Sequence, residues 1–75
     1  MSTKQSPTQI SAPLAGIWRK TVQEGTAVAE GEVIGYVEAI KLDAAVTAPA
    51  AGTVHFVVAE DFSDVSGGDI LAELI

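Results

Sequence analysis

Few side chains in this sequence are equipped for chemistry, and the one placed most distinctively is Lys41. There is a single imidazole, His55, and no cysteine, so disulfides, thiolate metal sites and cysteine nucleophiles are excluded. His55 has no evident partner carboxylate or nucleophile and reads as a surface residue. Asp61, Asp64 and Asp69 resemble scattered calcium ligands without the spacing of an EF-hand loop, and read as a solvated turn. Lys41 differs from all of these by position. It lies at the junction between two copies of one sequence pattern, where the chain turns back on itself.

The first copy, APLAGIWRKTVQEGTAVAEGEVIGYVE, runs from Ala12 to Glu38, and the second, APAAGTVHFVVAEDFSDVSGGDILAELI, from Ala48 to Ile75. At an offset of 36 residues Ala12, Pro13, Ala15, Gly16, Val22 and Glu24 match Ala48, Pro49, Ala51, Gly52, Val58 and Glu60. One residue is then inserted around Asp61 to Asp64, after which Val28, Gly31, Glu32, Val33, Ile34 and Val37 align with Val65, Gly68, Asp69, Ile70, Leu71 and Leu74.

Recurrent glycines and β-branched runs predict strands. Ile17 to Val22 and Thr53 to Val58 alternate, with Trp18, Lys20 and Val22 facing inward like Val54, Phe56 and Val58. Arg19 and Thr21 face outward like His55 and Val57. Lys20 suits a rim, its stem packed and its ammonium in water. Loops from Glu24 to Gly31 and from Glu60 to Gly68 each hold one apolar anchor, Val28 or Val65. Strands from Glu32 to Glu38 and Asp69 to Ile75 close the copies. Trp18, Tyr36 and Phe62 are expected to be packing residues. Neither copy can bury an apolar face alone, but two packed about a pseudo-twofold axis can. The expected fold is all-β: a flattened β-barrel or sandwich of two pseudo-twofold-related four-stranded halves. Residues 10–75 form this domain and residues 1–9 a flexible N-terminal tail.

The copies cross between Ala39 and Ala45. One unbroken strand from Val33 to Val46 would span roughly 45 Å, too long for so small a domain, so the chain reverses here. The segment has no Gly, Pro or Asn. Tight hairpins favour residues that tolerate positive φ, so a β-branched Ile40 at this reversal predicts strain at an exposed tip, and strain of that kind points to function.

Composition narrows the partners. Four basic residues, Lys4, Arg19, Lys20 and Lys41, face ten acidic ones, a net charge of −6. That argues against nucleic acid, which is bound by neutralising phosphates. No window approaches the roughly 20 apolar residues of a membrane span, and the polar start MSTKQSPTQ lacks the core of a secretory signal. A soluble, cytoplasmic protein is expected. Too few acid–base residues cluster anywhere to predict an independent enzyme.

Against this arrangement, VEAIKLDAAVTAPAAGTV, from Val37 to Val54, resembles the attachment site of a biotinyl domain. In that family a lysine lies in an E-A-M-K-M setting on an exposed hairpin, followed by a strand and A-P-x-x-G-x-V. The matching positions are Glu38, Ala39, Ile40, Lys41 and Leu42, then Ala48, Pro49, Gly52 and Val54. Gly16, Trp18, Gly25, Val28, Gly31 and Ile34 match the upstream pattern loosely, so the likeness runs from about residue 11 to 75. Ile40 and Leu42 replace the usual methionines, conserving bulk and hydrophobicity. Lipoyl domains share the fold but usually carry Asp before the lysine and Ala after it.

The resemblance implies a biotin carboxyl carrier with biotin joined covalently to Lys41. Glu38, Ala39, Ile40 and Leu42 would flank it as recognition residues. A biotin protein ligase would supply the activated biotin and take the proton from the amine. Lys41 would stand at one end of the barrel, with both termini toward the other. The carrier itself would be non-catalytic, a swinging arm moving between the biotin carboxylase and the carboxyltransferase or decarboxylase subunits of a larger enzyme. A lipoyl carrier and an unmodified, biotinyl-like interaction module are the alternatives.

Overall fold

The structure, a computed structural model, describes residues 8–75, and all regular structure within it is strand. Eight short strands follow in order: β1 (Thr8–Ser11), β2 (Gly16–Lys20), β3 (Ala27–Val28), β4 (Val33–Glu38), β5 (Asp43–Thr47), β6 (Gly52–Phe56), β7 (Ser63–Val65) and β8 (Ile70–Leu74). Residues 1–7 of the expected tail lie outside the described residues. Thr8 and Gln9 belong to β1, which starts two residues before the expected Ile10, because they pair with Leu74 and Glu73 at the end of β8.

The strands form two antiparallel sheets, ordered β1-β8-β6-β3 and β5-β4-β2-β7. Replacing every strand by its repeat partner, β1 with β5, β2 with β6, β3 with β7 and β4 with β8, converts the first order into the second. The repeat is therefore a pseudo-twofold of the whole topology. Each sheet draws two strands from each copy, so neither copy can complete a sheet by itself. The sheets are not joined into a closed barrel; the fold is the flattened sandwich form of the expected architecture.

Burial follows the same symmetry. Ile10 and Val46, Ala12 and Ala48, Trp18 and Val54, Val28 and Val65, Ile34 and Leu71, and Val37 and Leu74 are all buried pairs. Lys20 packs as its position demanded, with its Nζ 5.2 Å from the Phe56 ring centroid. The glycine–acid step that closes each copy is a turn device. Gly31 and Gly68 sit at φ 86° and 91°, and their N–H groups donate to the carbonyls of Ala48 and Ala12. The acids that follow, Glu32 and Asp69, accept hydrogen bonds from the backbone N–H of Ala29 and Ser66.

Hydrogen bonding also corrects the alignment of the copies. Glu24 Oε1 accepts the Phe56 N–H at 2.7 Å, and Asp61 Oδ1 accepts the Lys20 N–H at 2.8 Å. The next residues, Gly25 and Phe62, both have positive φ and donate to the carbonyls of Val54 and Trp18. Glu24 is thus equivalent to Asp61, not to Glu60. The extra residue falls before Asp61, beside the place where the Val57 and Val58 N–H groups both reach the Leu71 carbonyl. A capping carboxylate defines the equivalence here, and Asp and Glu fill it interchangeably.

Glu24 also has a pH consequence. Its carboxyl is held below its ordinary value of 4.5, chiefly by the Phe56 N–H; desolvation opposes this, and the His55 and Lys20 side chains add smaller lowering contributions. Its folded pKa is the lower one, so its contribution to stability is complete above about pH 4.5 and is lost as pH falls through the folded value. The thermal midpoint is expected to drop on acidification below that point, and Glu24→Gln to flatten this part of the drop. Parallel melting curves from pH 6 to 3 check it; identical slopes would rule it out.

Candidate functional site

Antiparallel pairing of β4 with β5 brings Glu38 opposite Asp43 and leaves residues 39–42 as the connection. Ala39 donates its N–H to the Leu42 carbonyl at 2.9 Å, which makes Ile40 and Lys41 the two corner residues of the turn. Lys41 is exposed. Among the described residues the Arg19–Glu38 ion pair and the hydrogen-bonded His55–Glu24 pair are the close contacts between basic and acidic side chains, and neither involves it.

The strain expected at this tip is not found. Among the described residues Phe62 is the one non-glycine with positive φ; Ile40 and Lys41 have none. The physical reason is that the reversal is looser than a primed hairpin turn. It is closed by the bond from Ala39 to Leu42, without the reciprocal bond from the Leu42 N–H.

Ile40 is fully exposed, at 101%, and Leu42 is 58% exposed, so neither folds inward as an apolar cap. Ile40→Ser and Leu42→Ser are accordingly expected to shift the unfolding free energy by less than about 0.5 kcal/mol, measured as a denaturant midpoint. A larger loss from either would mean that the tip packs on the sandwich. Ala39 is half-buried at the neck. Glu38 is held at the base by Arg19, its Oε2 accepting from Nη1 at 3.0 Å. Gly16 lets β2 crowd this base, since a Cβ there would lie 2.5 Å from the Glu38 carbonyl oxygen. Arg19 was missing from the sequence-derived site. The opposite charges of Arg19 and Glu38 could be read, but their meeting depends on the register of β2 against β4.

Three other expectations change. His55 does have a carboxylate partner: its Nδ1 lies 2.8 Å from Glu24 Oε2. The same carboxylate caps the Phe56 N–H, so the pair ties a loop to β6, as Asp61 does on the other half. Tyr36 and Phe62 are not packing residues, being 39% and 68% exposed, because both lie on the outer side of the β5-β4-β2-β7 sheet. Trp18 is in the core as expected, with no exposure, and its Nε1 donates to the Val58 carbonyl. Among the described residues no cluster of three His, Cys, Asp or Glu side chains is assembled for a metal, and no helix is long and apolar enough to cross a membrane.

The profile of a family described as biotin-requiring enzyme matches residues 5–74, nearly the whole chain. The chain belongs to the biotin-requiring enzyme family. Within the family it is 36% identical over 73 residues to the mitochondrial propionyl-CoA carboxylase alpha chain of Homo sapiens, a match covering 96% of this chain and 10% of that protein. The chain therefore spans about a tenth of the length of this relative.

Solved structures agree on the fold. The Kluyveromyces lactis urea carboxylase superposes with a TM-score of 0.84 at 20% identity, over 100% of this chain and 7% of that one. A single-chain, multi-domain long-chain acyl-CoA carboxylase gives 0.76 at 25% identity, over 99% and 8%. The succinylglutamate desuccinylase/aspartoacylase from Rhodobacter sphaeroides gives 0.77 at 21% identity, over 95% and 22%. The fold thus recurs in proteins named as carboxylases and in one named as an acylase.

Proposed function

We propose that this biotinyl domain is a carrier: Lys41 holds biotin through an amide and presents it in turn to the active sites of a biotin-dependent carboxylase, decarboxylase or transcarboxylase. The observation that supports this most directly is the free, exposed Lys41 amine at the tip of the β4–β5 hairpin, in a chain of this family. In attachment a C–N bond forms between Nζ and the biotin carboxyl carbon. The bond from that carbon to its adenylate leaving group breaks, AMP departs with the electron pair, and Nζ gives up a proton to the ligase. Once bound, the biotin supplies a ureido nitrogen that takes up and releases a carboxyl group. The chain's own residues hold and aim the arm. Arg19 and Glu38 fasten the base of the hairpin, and the core fixes its two strands. A tethered group then meets each active site at high effective concentration.

Biotin is favoured over lipoate because Ile40 and Leu42 conserve the bulk of the methionines found beside a biotinylated lysine. The test is the intact mass of the protein after incubation with ATP and either a biotin ligase plus biotin or a lipoate ligase plus lipoate. One biotinyl addition, and none of lipoate, is expected. Lipoate alone would replace the cofactor, and no addition by either would leave an unmodified module.

A further inference from the structure

The pseudo-twofold provides an internal control for the surface around Lys41. On the outer side of the lysine-bearing sheet, Tyr36 on β4 pairs with Arg19 on β2, and the Arg19 guanidinium lies 5.3 Å from the centroid of the Phe62 ring. The equivalent positions on the other sheet are Glu73, His55 and Gly25. An exposed aromatic–arginine–aromatic strip therefore occurs on one half only, the half that carries the hairpin. Phe62 departs furthest from its mate. It adopts φ 65°, a conformation that suits glycine and disfavours a bulky side chain, at the position where the other half has Gly25 at φ 83°. Its ring is nonetheless exposed and so contributes little to the core. A strained backbone that displays an aromatic ring to solvent needs a reason outside the fold.

An enzyme that takes Lys41 into its active site cannot bind through a tip of four residues, since stable interfaces bury about 800 Å² on each partner. Its footprint must spread from the tip, where Ile40 and Leu42 are exposed, onto the sheet to which the hairpin belongs. We infer that the outer face of the β5-β4-β2-β7 sheet, centred on Phe62, Arg19 and Tyr36, docks the biotin protein ligase that acts on Lys41. The matching partner surface is an apolar cleft rimmed by basic side chains. Tyr, Phe and Arg are enriched at interface centres, where truncating single residues often costs tenfold or more in affinity. The basic rim follows from charge. Arg19 is already paired with Glu38, while Asp43, Asp61 and Asp64 border the strip in a chain of net charge −6. This inference rests on Lys41 being the modified residue.

The experiment measures biotin transfer by a purified biotin protein ligase to the parent chain, Phe62→Gly, Tyr36→Ser and, on the mate face, Glu73→Gln. Phe62→Gly copies Gly25 and relieves the positive φ, so its melting temperature should equal or exceed the parent's. Its KM should rise about tenfold with kcat unchanged. Tyr36→Ser should raise KM less, Glu73→Gln not at all, and the parent's KM should rise with added salt. Unchanged KM in both Phe62→Gly and Tyr36→Ser would overturn the docking face while leaving biotinylation standing. A marked fall in the melting temperature of Phe62→Gly would make the ring structural and likewise overturn it. A parent chain that accepts no biotin would overturn the carrier reading, and the docking face with it.

Discussion

Lys41→Arg is expected to leave the protein folded and wholly unable to accept biotin. The substitution keeps the positive charge and a long stem at an exposed turn corner with no ion-pair partner among the described residues, so its melting curve should match the parent's within about 0.5 kcal/mol. What it removes, on the proposed carrier role, is the nucleophile. An amine can surrender a proton inside a ligase site and attack with the freed lone pair. A guanidinium stays protonated in proteins and its electrons are delocalised over a plane.

The intact mass of Lys41→Arg after ligase treatment should therefore show no biotinyl addition. A partner carboxylase supplied with it should fall to the rate measured with no carrier. The loss is expected to be that complete because the tether supplies effective concentrations in the millimolar range, which dilute free biotin does not match. Biotin on the arginine variant would move the site to another amine, Lys4 or Lys20. Lys20 is a poor rival, because its ammonium is engaged over the Phe56 ring.

Most of the architecture was legible because the sequence is written twice. Matching Ala12 to Ala48, Trp18 to Val54 and Ile34 to Leu71 located the core and placed Lys41 at the crossing between copies, and the sheet orders obey the same exchange. The repeat misled where a function is shared by unlike side chains. Glu24 and Asp61 cap equivalent backbone N–H groups, yet letter identity paired Glu24 with Glu60. Contacts across strands that are distant in sequence were also hidden. The Arg19–Glu38 and His55–Glu24 pairs depend on register, which hydrophobic alternation specifies only by face. Phe62 could not be read as exposed, because nothing in its own type distinguishes an aromatic anchor from an aromatic display.

Gly35→Ala is the substitution within the sandwich expected to cost most for its size, and the cause is a trade of volume between the two halves. Trp18 is fully buried where its mate is Val54, so one side of the core holds a much larger ring. Space for it comes from Gly35, whose mate is Ala72: a Cβ on Gly35 would lie 2.4 Å from Trp18 Cη2 and 2.5 Å from the Arg19 carbonyl oxygen. Neither neighbour yields cheaply. The indole is held by its Nε1 bond to Val58, and the carbonyl belongs to the β2 backbone. Overpacking of this kind costs about 1–3 kcal/mol and occasionally more. The upper end is expected here, a large part of the roughly 4–11 kcal/mol typical of a domain this size. Ala72→Gly, the reverse change on the other half, should cost only about 1 kcal/mol, the ordinary penalty for glycine in a strand. Urea midpoints with unchanged m-values measure both. The sharper test adds Trp18→Val, which copies the Val54–Ala72 arrangement into the first half. Alone it opens a cavity, at about 3–5 kcal/mol, but the methyl group introduced by Gly35→Ala partly fills that space. The double variant should therefore lose less than the sum of the two singles, by about 1–3 kcal/mol. Strict additivity would mean that the Arg19 carbonyl, and not the indole, sets the limit at Gly35.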